Sequence, residues 1–149
     1  MSFILKCLVV ISTVLVSATA YAEIAVKSAW VRATAGTNTV TAGYALIVNS
    51  GTQPDRLIDV SSPEAGRIEL HRSSSSGGMM SMSPVEDMTI PPNSRIELKP
   101  GDYHLMILQI RKPLKKSESF PLQFRFERKG LVEASATVAP LTASNAPAQ

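Results

Sequence analysis

The softest metal donors in this sequence are gathered in one region. Of six methionines, one is the initiator, and the other five (Met79, Met80, Met82, Met88 and Met106) fall between positions 79 and 106. The chain's two histidines, His71 and His104, belong to the same region. A chain that used methionine only to fill core gaps would scatter it among all its apolar segments, which here are built from Val, Ile and Leu instead. Thioether sulfur and neutral imidazole suit Cu(I), and thioethers, unlike thiols, are not lost to disulfides in an oxidising compartment. Taken singly these residues carry little, because a surface His is usually only solvated and a strand Met is usually core.

Spacing adds a constraint. His104 and Met106 are two apart in Tyr103-His104-Leu105-Met106-Ile107. On a strand they therefore share one face, about 6.6 Å apart, with Tyr103, Leu105 and Ile107 on the other. On a helix the same two side chains would diverge and could not chelate. In Arg67-Ile68-Glu69-Leu70-His71 the apolar face is Ile68 and Leu70, which leaves His71 on the polar face with Arg67 and Glu69. The Arg72 to Gly78 stretch, rich in Ser and Gly, is expected to turn the chain so that Met80 or Met82 returns near the end of the His71 strand.

The elements that would hold these residues follow from the apolar pattern. Short segments rich in β-branched and aliphatic residues span 24–33, 42–48, 56–60, 67–71, 95–99, 103–111, 122–127 and 131–138, separated by turn clusters such as Asn49-Ser50-Gly51 and Pro100-Gly101. Eight strands at roughly ten-residue intervals predict an all-β antiparallel sandwich or barrel, and no stretch shows a helical period. The chain has 149 residues, 44% of them hydrophobic and 18% charged, which is enough apolar surface for one core and too little length for two. Residues 23–140 are expected to form that domain, with 141–149 as a flexible tail.

Residues 1–22 have the pattern of a secretory signal: Lys6, an apolar run from Cys7 to Val16, and the small-x-small signal Ala20-Tyr21-Ala22. Export follows, with no membrane span once the signal is cleaved. Cleavage takes Lys6 with it, leaving 14 basic against 12 acidic residues, a net charge of +2. It also takes Cys7, the only cysteine. An exported form without cysteine excludes thiol nucleophiles, disulfide exchange, thiolate zinc sites and blue-copper electron transfer. Scattered basic residues and 5% aromatic content argue against a nucleic-acid partner. No Gly-x-Ser-x-Gly elbow is present, and Glu64, Glu69, Glu86 and Asp87 are expected to be solvated charges, so an enzyme is disfavoured. The turn carrying Arg111, Lys112, Lys115 and Lys116 either docks an acidic partner or keeps the protein soluble.

The array His71, ten residues, Met82, twenty-one residues, His104, one residue, Met106 resembles the signature of the PCu(A)C-type periplasmic copper chaperones. Ile68-Glu69-Leu70-His71, Met80-Ser81-Met82-Ser83-Pro84-Val85, Leu98-Lys99-Pro100-Gly101-Asp102-Tyr103-His104-Leu105-Met106 and Lys112-Pro113-Leu114 also look like that family. The likeness runs from about Ala29 to Val138. It implies a cupredoxin-like, Greek-key β-sandwich of about eight antiparallel strands, binding one Cu(I) through His71, Met82, His104 and Met106. It also implies that copper passes to an acceptor such as a cytochrome c oxidase subunit, toward its dinuclear copper site, or to another copper chaperone; the chain itself is expected to be a monomer. Two departures stand out: Arg72 and Ser73 to Ser76 replace residues that are often acidic or Met, and the tail lacks the His and Met that would add a second site. Met79 and Met88 are expected to serve packing or a loop, and Met80 to shield the ion or substitute as a ligand. A copper store, or a structural sandwich that binds no metal, remains the alternative reading.

Overall fold

A computed structural model describes residues 23–147; the signal expected at 1–22 lies outside the described residues. Ten strands follow one another: β1 (Ile24–Arg32), β2 (Thr41–Asn49), β3 (Asp55–Ser61), β4 (Ala65–Ser76), β5 (Met79–Pro84), β6 (Met88–Ile90), β7 (Ser94–Leu98), β8 (Tyr103–Ile110), β9 (Ser119–Phe126) and β10 (Gly130–Ala139). They form one hydrogen-bonded sheet in the order β5-β4-β8-β2-β1-β10-β9-β3-β6, with β7 on β2. The sheet curls so that β4, β8 and β2 face β9 and β3 across one core, giving a β-sandwich. Among the described residues no helix is long and apolar enough to cross a membrane.

Alternation drives this arrangement. Leu105 and Ile107 on β8, Ile68 and Leu70 on β4, and Phe120, Leu122, Phe124 and Phe126 on β9 all turn inward and are buried, while the residues between them face out. Gly43 lets two layers meet: a Cβ there would stand 3.1 Å from Ile107 Cδ1 and 3.3 Å from Val31 Cγ1, tighter than ordinary contact. Outside this core a smaller cluster forms where Trp30 stacks on Tyr44 with ring centroids 4.3 Å apart, joined by Ala139. The Arg32 guanidinium lies over the Tyr44 ring and donates from Nε to the Ala143 carbonyl at 3.0 Å, so the first tail residues are held against the sandwich.

The eight expected strands are all present, with two additions and one difference of direction. β1 pairs parallel to β10 through Trp30↔Thr137 and Val31↔Val138, whereas every other ladder is antiparallel. The short β6 closes one edge. At the other edge, the serine-rich stretch expected to turn is mostly strand: β4 continues to Ser76, Gly77 and Gly78 make the turn at φ +58° and +79°, and β5 returns. Two glycines with positive φ match the turn that a two-residue hairpin prefers.

Candidate metal centre

The positioning of the soft donors begins with the β4–β8 ladder. His71 stands directly opposite His104, and Glu69 opposite Met106. Facing residues in an antiparallel pair project to the same side. All four therefore lie on the outer face, behind a wall made by Ile68, Leu70, Leu105 and Ile107 on the inner one. On the other side of β8, Met106 pairs with Ala42. The β4–β5 ladder then brings the fourth donor: His71 is opposite Pro84, and Ser73 opposite Met82, so Met82 shares the face of His71 one diagonal step away.

The two imidazoles are 6.0 Å apart between ring centroids and inclined by 55°. His71 and His104 lie on the outer face, yet neither is open to bulk water: His104 is 6% exposed and the His71 side chain 12%. Their hydrogen bonds fix which nitrogen carries a lone pair. The Asp102 carbonyl is 3.0 Å from His104 Nδ1 and can only accept, so Nδ1 carries the proton and Nε2 is left as the donor to a metal. Glu69 Oε2 is 2.9 Å from His71 Nε2, which therefore carries its proton and leaves the lone pair on Nδ1. That Nδ1 is buried and has no hydrogen-bond partner. An orphaned buried acceptor costs about 1–3 kcal/mol, and coordination to a metal would relieve it. Arg67 holds the other oxygen of Glu69 at 2.9 Å, so Arg67, Glu69 and His71 form a line of contacts along one strand face.

The donor types constrain which metals would fit. Among the described residues no group of three or more His, Cys, Asp or Glu side chains gathers, so the usual cages for Zn²⁺ or Ca²⁺ are absent. On the same outer face as the two imidazoles stand the thioethers of Met106, which is half-buried, and Met82, which is 51% exposed. That combination fits a soft monovalent ion, and the fit rests on the chemistry of these donors together with the orphaned His71 nitrogen.

The remaining candidates sort by location. Met88 is buried in the core on β6, as a packing residue should be, and Met79 sits exposed beside the hairpin turn. Met80 is also exposed, opposite Ser75. Of the carboxylates expected to be solvated, Glu86 is exposed and Asp87 meets Arg56 at 3.4 Å. Glu64 lies 3.5 Å from Lys112, and Glu69 is engaged by both His71 and Arg67. The orienting roles of Glu69 and of the Asp102 carbonyl are the part of the site that spacing alone missed. The polar alternation Arg67, Glu69, His71 carried the first of them. Arg72, a departure from the family pattern, stands 3.9 Å from Asp102 and over the ring of Tyr103, beside the site rather than across it.

Comparison with known proteins places this sandwich in a family. A family model described as "Putative lipoprotein LpqE-like" matches residues 24–138. The chain belongs to the LpqE-like family, the family of PCuAC domains. Among solved structures, it is similar to the apo PCuAC domain of PmoF2, with 28% identity, a TM-score of 0.71, and 85% of this chain and 98% of that one covered. The copper-bound PCuAC domain of PmoF2 matches at 28% identity and a TM-score of 0.69, over 82% of this chain and 97% of that one. The Cu(I) form of DR1885 from Deinococcus radiodurans matches at 28% and 0.61, over 83% of this chain and 82% of that one. Sequence relatives include "Putative lipoprotein Lxx21020" of Leifsonia xyli subsp. xyli, 28% identical over 68% of this chain and 60% of its own length. Another is "Uncharacterized protein RP573" of Rickettsia prowazekii, 27% identical over 56% of this chain and 47% of its own. The chain thus matches only about half of each curated relative.

Proposed function

We propose that this protein is a periplasmic copper carrier that binds one Cu(I) through His71, Met82, His104 and Met106. The observation that carries the reading is the orphaned Nδ1 of His71, on a ring that directly faces His104 across β4 and β8, with two thioethers on the same face. Related PCuAC domains that have been solved with copper support it.

The cargo would sit at the surface of a rigid sheet, held by neutral donors. Glu69 and the Asp102 carbonyl hold the imidazoles in the tautomers that face the ion, which raises the basicity of each ligating nitrogen. Thioethers are weak donors, so an acceptor's ligands can replace them one at a time without a redox step. Met82, the most exposed of the four, is the natural first to leave. The proposed acceptor is a periplasmic copper protein, with the dinuclear copper site of cytochrome c oxidase as the target that the family likeness suggests.

The test is transfer. Cu(I)-loaded protein mixed with an apo oxidase subunit should lose its copper to that subunit, and the His104→Ala, Met106→Ala double variant should have none to give. Tight binding without transfer to any copper acceptor would leave a store in place of a carrier.

A further inference from the structure

The geometry points to Met80 as a second thioether station, through which Cu(I) passes between the site and an incoming acceptor. The inference rests on the proposed four-ligand site and adds a route to it. Met80 is opposite Ser75 in the ladder that pairs Met82 with Ser73 and Pro84 with His71. Alternate positions share a face, so Met80, Met82 and His71 form one line running from the sheet out along the hairpin. Two strand positions are about 6.6 Å apart, and a methionine side chain with three rotatable bonds spans about half that gap from each side. Both sulfurs can therefore reach one ion.

The surroundings favour passage along this line. Ser73 and Ser75, opposite Met82 and Met80 in the ladder, are small and uncharged neighbours on that face. On the opposite face the Ser74 and Ser81 hydroxyls bond at 2.8 Å and lock the register that keeps the line straight. Exposure separates the methionines by task. Met88 is 5% exposed and belongs to the core, whereas Met80 is 72% exposed and packs against nothing in it. β5 is exposed throughout, and a Cβ at either Gly77 or Gly78 of the adjoining turn would meet nothing within 4 Å, so an acceptor can approach the station without disturbing the sandwich.

The step is simple exchange: a bond from copper to the Met80 sulfur forms as that to the Met82 sulfur breaks. Copper stays Cu(I), and no proton or electron moves. Because the station offers no imidazole, it holds the ion weakly and acts on the rate of handover more than on affinity.

The experiment follows Cu(I) leaving the loaded full-length protein for excess bicinchoninate under anaerobic conditions, read by the chelator's colour. Met80→Leu should keep one equivalent bound with affinity within about twofold and slow the transfer by about fivefold or more. Met79→Leu, on the other face of the same strand, should change neither, and melting curves would confirm that both variants are folded. Transfer by Met80→Leu at the wild-type rate would overturn the proposal, as would equal slowing by Met79→Leu. A large loss of equilibrium affinity in Met80→Leu would also overturn it, by making Met80 a ligand of the resting site. Failure of the wild type to bind Cu(I) at all is a different result, and would remove the four-ligand site itself.

Discussion

At the scale of single residues, the site depends on how its imidazoles are held. Glu69 does not reach the proposed ion, but its bond to His71 Nε2 aims Nδ1. Replacing such an outer partner typically costs 10–100-fold in metal affinity. Glu69→Ala should therefore weaken Cu(I) binding by about tenfold or more while leaving the melting temperature nearly unchanged, measured by chelator competition and by thermal melting. Unaltered affinity would mean that His71 is oriented by something else. Protons compete with a metal for ligating nitrogens, so Cu(I) affinity, followed by the same chelator competition, should be weaker in acid while any Met contribution persists. Another residue titrates far from this site. Burial raises the Tyr44 pKa above that of an ordinary phenol, with Arg32 opposing the shift. A phenol whose folded pKa is raised stabilises the fold below the unfolded value, and that stabilisation is lost as pH rises from about 10 toward the folded pKa. Alkaline melting curves should therefore fall more steeply for the wild type than for Tyr44→Phe.

At the scale of elements, β8 shows how far a sequence can be read. The alternation of Tyr103, Leu105 and Ile107 against His104 and Met106 was legible because burial of one face pins the register, and a slip by one residue would put both donors into the core. Leu105 and Ile107 are fully buried behind the donors. Leu105→Ala should cost about 2–5 kcal/mol in denaturant unfolding and lower copper affinity indirectly, since the strand loses its anchor. A loss well under 1 kcal/mol would mean that β8 is placed by its ladders alone. β5 was not read as a strand, because the short alternation of Met80, Met82 and Pro84 with Ser81 and Ser83 buries neither face and its pairing comes from the Gly77-Gly78 turn. Nor was the parallel β1–β10 ladder, which joins chain segments about a hundred residues apart with no local signal for direction. Asp55 is a similar case. Buried at 2% exposure on β3, it accepts from the backbone N–H groups of Arg56, Arg128 and Lys129 at 2.8–2.9 Å, fastening the β9–β10 turn to β3. Asp55→Ala would take the acceptor from three part-buried amides, and should cost about 1–3 kcal/mol in the same unfolding measurement.

At the scale of the whole molecule, a stiff sandwich carries its candidate site on an outer face near one sheet edge. Nothing in the core has to move for the proposed cargo to leave, because the wall behind the donors is the core itself. That separation puts the proposed donors on outward positions of β4, β5 and β8; the shared face of His104 and Met106 was legible as a spacing, the set of four came from the likeness to the PCu(A)C-type chaperones, and the orienting roles of Glu69 and Asp102 were legible in neither. Spacing of two is set by the strand, but which histidine nitrogen faces outward depends on side-chain rotamers and on the Asp102 backbone carbonyl, which any residue type would supply. It also predicts that ligand variants fold normally, so loss of copper and loss of structure can be separated by experiment.

The most direct measurement is an anaerobic titration of the purified protein with Cu(I) against a chromophoric competing chelator, repeated on the His104→Ala, Met106→Ala variant. One equivalent held by the wild type and none by a variant that melts like it is the predicted result. If the wild type cannot compete for Cu(I) at any chelator concentration, or if the variant binds as tightly, the outer face of β4 and β8 is not a copper site.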